Sequence, residues 1–144
     1  MTRQHLVKSL GTLVDLRGRE VDRLSAEMAE KAAVRARFHA NLARMQGLCA
    51  GGVVQGGQPM ALAMNRAGYK QALLHMVAEH QQDLALHEAD MAVTQRALTA
   101  AAQKREVLGQ VLTQQREQVQ MEHGKREQKH QDDLAAQVWW RGQA

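Results

Sequence analysis

Apolar residues in this chain fall into two long rows of alternating three- and four-residue steps, separated by a glycine-rich interval. The first row runs through Val7, Leu10, Val14, Arg17, Val21, Leu24, Met28, Lys31, Arg35, Phe38, Leu42 and Met45, and nine of the twelve positions are apolar. Such spacing gathers apolar side chains on one side of a helix. A sustained 3.5-residue period favours helices wound around one another over an isolated surface helix. The row predicts a helix over about residues 3–46. The second row repeats at Val77, Leu84, Met91, Leu98, Arg105, Leu112 and Val119, with a companion set at Leu73, His80, His87, Thr94, Ala101, Leu108 and Gln115. It predicts a second helix over about 61–138 with a more polar seam, and Gly109 and Gly124 are points where that helix should bend or fray.

Residues 47–60 hold Gly47, Gly51, Gly52, Gly56, Gly57 and Pro59. Glycine inside a helix costs about 1 kcal/mol relative to alanine and proline about 3, so the chain should turn there. Charge supports an antiparallel return. Lys31, Arg35, Arg37 and Arg44 stand in a stretch without acids, whereas Glu79, Asp83, Glu88 and Asp90 stand in one without Lys or Arg. Folding back would lay the two stretches side by side, although each exposed pair contributes only about 0–1 kcal/mol. With the turn centred near residue 54, the first helix should run out opposite about residue 105 at 1.5 Å rise per residue. The expected fold is therefore all-α: a single antiparallel two-helix coiled-coil hairpin over 1–144, with a longer C-terminal helix whose last third projects alone.

Composition agrees with helices and argues against a compact globule. One Phe, one Tyr and two Trp leave the hydrophobic role to Ala, Leu, Met and Val, and aromatics supply the largest buried areas in compact cores. The net charge of +4 is mild. The lone Cys49 cannot form an internal disulfide and implies no oxidising compartment. No apolar run approaches the roughly 20 residues needed to span a bilayer, and the N-terminus lacks a signal-peptide core. A soluble intracellular protein is the expectation.

Candidate chemistry is sparse. The Gly51–Gly57 stretch is followed by Gln58 and Pro59, not by the Lys and Ser or Thr of a phosphate loop. His80 and His87 lie seven residues apart, roughly 10 Å along a helix, too far to share one ion, and His123 and His130 repeat that spacing. No nucleophile stands beside a base, and two packed helices offer little concavity for a substrate. These features point away from catalytic residues, a cofactor, a bound metal or a small-molecule substrate. Arg96, Lys104, Arg105, Arg116, Lys125, Arg126 and Lys129 are interleaved with Glu106, Glu117, Glu122 and Glu127. That alternation fits a solvated helix face better than a phosphate-binding stripe, which argues against nucleic acid. Trp139 and Trp140 sit together at the projecting end, and tryptophan is enriched among interface hot spots.

Two stretches carry a family likeness: Val14-Asp15-Leu16-Arg17-Gly18-Arg19-Glu20-Val21-Asp22 near the start, and Arg126-Glu127-Gln128-Lys129 followed by Asp132-Asp133-Leu134-Ala135 near the end. With Asn65 and Tyr69 opening the second helix, the chain resembles the FliJ family of flagellar export proteins along its whole length. The resemblance implies a non-enzymatic stalk and general chaperone of the cytoplasmic type III export apparatus. Its expected partners are the hexameric export ATPase, the membrane export gate and export chaperones, and its expected location is the cytoplasm beside the inner-membrane apparatus. Carried onto this sequence, Glu127, Gln128, Lys129, Asp132 and Asp133, with Trp139 and Trp140 at the same end, would contact the ATPase. Asn41, Met45, Tyr69 and Met76 would contact the gate. The alternatives are the equivalent stalk of a virulence-type secretion system and, from another class, a basic coiled-coil nucleic-acid-binding or scaffold protein.

Overall fold

In a computed structural model, residues 2–51 and 59–143 are described. They form two helices, α1 (Arg3–Ala50) and α2 (Met60–Gly142), packed as a hairpin without strands among the described residues. The first helix continues through Gly47 to Ala50, past the expected end of the row, and the Gly51 amide still donates to the Gly47 carbonyl at 3.1 Å. The centre of the expected turn, residues 52–58, lies outside the described residues. Pro59 precedes α2, and its carbonyl accepts from the Leu62 and Ala63 amides. Proline is suited to a helix start because its missing N–H would have no helical partner there. The helix is unbroken through Gly109 and Gly124.

Contacts divide the hairpin into two units, Met1–Val21 with Ala100–Ala144, and Asp22–Thr99. Within the second unit, Leu24, Leu42, Leu73, Val77, Leu84 and Met91 are buried with Thr94. Leu42, Val77 and Leu84 form one cluster, against which Phe38 and Met45 pack. The Phe38 ring lies 4.8 Å from His80 and 5.7 Å from His87. Lys31 pairs with Asp90 and His39 with Glu88, so α1 and α2 run antiparallel there. The expected charge match is thus realised at Lys31, but Arg35, Arg37 and Arg44 are exposed and make no ion pair among the described residues. Arg35 also leaves the seam, and its neighbour Val34 is half-buried instead, as expected when an apolar and a charged residue compete for partial burial.

Within the first unit, Leu10, Ala101 and Leu112 are buried, while Val7, Val14 and Val119 are partly covered. Arg105, a seam position by spacing, is exposed, and its guanidinium carbon lies 3.6 Å from where a Cβ on Gly18 would stand. Arg3 bonds Glu122 across the helices. The first helix therefore ends opposite residue 122, not near 105, and the unaccompanied part of α2 is shorter than a turn centred near residue 54 implies. From Glu122 onward the seam positions become Glu122, Arg126, Lys129 and Asp133. The row loses its apolar residues where its partner helix stops.

Candidate functional site

Two regions of α2 have no α1 beside them, and each is described within its own unit. In the first unit, every described residue from Gln120 to Gln143 is exposed. Glu127, Gln128, Lys129, Asp132 and Asp133 all lie on this bare segment, where the His123 ring stands 3.4 Å from Glu127. The Trp139 and Trp140 rings meet edge-on, with centroids 5.7 Å apart and planes at 84°. Both are largely exposed, at 59% and 70%. Met121, Gly124, Gln128, Gln131, Ala135 and Val138 recur in steps of three and four, and none carries a charge. This uncharged row is offset by two residues from the α1 seam and therefore faces a different direction. Spacing alone could have found it, because the seven Lys, Arg, Asp and Glu residues between Met121 and Val138 avoid all six positions.

In the second unit, Met45 is half-buried against the Leu42 cluster, and Asn41 accepts a hydrogen bond from Arg44. Tyr69 and Met76, seven residues apart on α2, are exposed at 59% and 52%. Residues 60–72 are exposed throughout, so α2 meets α1 only from Leu73 onward. Met60, Leu62 and Met64, which the heptad reading leaves out because they precede its first position, are exposed at 80%, 44% and 68%.

A polar layer interrupts the seam of this unit. Lys31 Nζ lies 2.7 Å from Asp90 and 3.3 Å from Glu27 and donates to Thr94 Oγ1 at 2.8 Å, while His87 Nε2 stands 2.8 Å from the Lys31 carbonyl. The bond to Asp90, aided by Glu27 and opposed by burial, holds the Lys31 ammonium above its ordinary 10.5. The same bond holds Asp90 below its ordinary 3.8 against the opposing effect of burial. The lysine's contribution is present below 10.5 and is lost as pH rises through its raised folded value. The aspartate's contribution is present above 3.8 and is lost as pH falls through its lowered value. The stability difference between wild type and Lys31→Met should therefore be constant from about pH 4 to 10 and change outside that window. Thermal melts across pH check this, and parallel curves over the whole range would remove the layer from the stability of the fold.

An open depression over Gly109, about 360 Å³, is lined by Glu106, Gly109, Gln110, Thr113, Gln114 and Glu117. All of these come from one helix, so it has no opposing wall. Among the described residues no group of three His, Cys, Asp or Glu side chains is placed to hold a metal, and no helix is long and apolar enough to cross a membrane.

A family model described as Flagellar FliJ protein matches residues 7–144. No curated protein and no solved structure matches the chain.

Proposed function

The chain belongs to the FliJ family and so to the components of the flagellar export apparatus, and from that premise we propose that it is the stalk and general chaperone coupling the hexameric export ATPase to the membrane export gate. The observation that carries the reading is the bare end of α2. It is a helix with an uncharged row, alternating charges and two exposed tryptophans, and no α1 accompanies it. Glu127, Gln128, Lys129, Asp132 and Asp133 supply charged and amide groups for the ATPase ring, and Trp139 and Trp140 supply apolar anchors. Asn41, Met45, Tyr69 and Met76, in the other unit, are the gate-contact residues, with Tyr69 and Met76 offering the larger exposed area. Both α2 sets belong to one helix. Coupling is then mechanical, export chaperones are handled on the exposed faces, and the protein works in the cytoplasm against the inner-membrane apparatus.

The test is a titration of the purified export ATPase from the same organism with the intact chain and with a chain ending at Glu122, following hexamer assembly and ATP hydrolysis. Stimulation by the intact chain alone is the expected result. Equal stimulation by both would move the ATPase contact off the bare end, and no stimulation by either would remove the coupling role.

A further inference from the structure

From Lys31 to Ala78 the sequence contains no Asp or Glu, yet it contains Lys31, Arg35, Arg37, Arg44, Arg66 and Lys70. Lys31 is consumed by the seam. Arg37, Arg44, Arg66 and Lys70 are exposed, and none of them reaches an acid among the described residues. This end of the second unit therefore carries a positive field that no side-chain anion on the same stretch offsets. Neutral faces of a helical protein usually mix the two signs, and a run of one sign attracts the other.

The same place exposes apolar surface. The first three turns of α2 present Met60, Leu62, Met64 and Tyr69 to solvent, and α1 covers nothing before Leu73. Met60 and Met64 are four residues apart and share one side, as do Arg66 and Lys70 on another, whereas Leu62 and Tyr69 occupy a third. The methionine side and the Leu62 and Tyr69 side lie nearly opposite each other, with the basic pair between them.

We propose that this end docks on an anionic lipid surface, with Met60 and Met64 entering the headgroup region while Arg66 and Lys70, beside them, stay at phosphate level. Flexible methionine side chains suit a fluid phase without fixed pockets. The long cationic side chains place an apolar stem in lipid and a charged tip in water. A helix lies on a membrane in this way when it joins apolar area to basic charge, and the attraction weakens with salt. Among the described residues no helix is long and apolar enough to cross a membrane, and the contact proposed is a peripheral one. The inference rests on this surface and not on the export reading.

The experiment is flotation of the full-length chain with vesicles of neutral phosphatidylcholine and with vesicles containing about one third phosphatidylglycerol, at low and at physiological salt. Binding to the anionic vesicles only, weakening with salt, is expected. Arg66→Gln with Lys70→Gln removes two surface cations worth about fivefold each, so partition should fall about 25-fold. Met60→Gln with Met64→Gln should weaken binding while leaving the helical circular dichroism unchanged. Lys125→Gln with Arg126→Gln removes the same charge from the other unit and should change nothing. Equal losses from both charge pairs would overturn the proposal, since net charge alone would then explain binding. Unbound vesicles, with retention of the chain by a polyglutamate column through Arg66 and Lys70, would assign the surface to an acidic protein instead. Because the assay contains neither ATPase nor gate, a negative result leaves the coupling role standing.

Discussion

Leu42→Ala is expected to destabilise the hairpin by about 2–3 kcal/mol, read as a lower urea midpoint at unchanged slope. Leu42 is 7% exposed and sits in the cluster with Val77 and Leu84, with Phe38 and Met45 packed around it. Truncation removes three buried carbons and leaves a gap that helix-borne neighbours can only partly close. The figure belongs at the low end for such substitutions because no described side chain is less than 2% exposed, so water already reaches much of the seam. Against a typical stability of about 5–15 kcal/mol this remains a large loss. Leu86→Ala is the matched control. Leu86 is 71% exposed on α2, two residues from the buried Leu84 of the same cluster, so its truncation should change stability by no more than about 0.5 kcal/mol. Similar effects at the two positions would mean that the seam does not lie on the Leu84 side of α2.

The second large effect concerns binding. Replacing Trp139 and Trp140 together by alanine should weaken ATPase association by about 100- to 1,000-fold, the loss expected when an anchoring pair worth roughly 3–4 kcal/mol is removed. Fold stability should not follow, because both rings are more than half exposed and touch each other edge-on without any burial under α1. Calorimetry of binding and a thermal melt of the free variant separate the two. A tenfold loss or less would place the anchors elsewhere on the bare segment, and the uncharged row Met121, Gln128, Gln131, Ala135 and Val138 would be the next to test. A fall in melting temperature would mean that the tryptophans serve the fold instead.

The heptad rows proved a sound guide to which side of each helix is covered. Every second-row seam position except Arg105 is at least partly covered, and every first-row position except Arg35. Both exceptions are arginines, whose long side chains leave a partly covered seam at small cost. The family likeness was legible in the short charged stretches at the two ends, and the family match spans residues 7–144. The apolar opening of α2 was not legible as a surface. Met60, Leu62 and Met64 look like core residues until the position of Ala50 and Leu73 leaves them uncovered.

What the sequence determined by itself was the helical state, the apolar stripes and the break between them, because propensity and period are properties of neighbouring residues. What the tertiary structure decided was how far one stripe slides along the other. A repeat of seven looks the same after a slip of seven, so periodicity cannot choose the axial position. Single unlike contacts choose it: Lys31 against Asp90 and Thr94, Phe38 between His80 and His87, and Arg3 on Glu122. Those contacts, and not the stripes, set where α1 ends along α2 and therefore which residues remain free to meet another molecule.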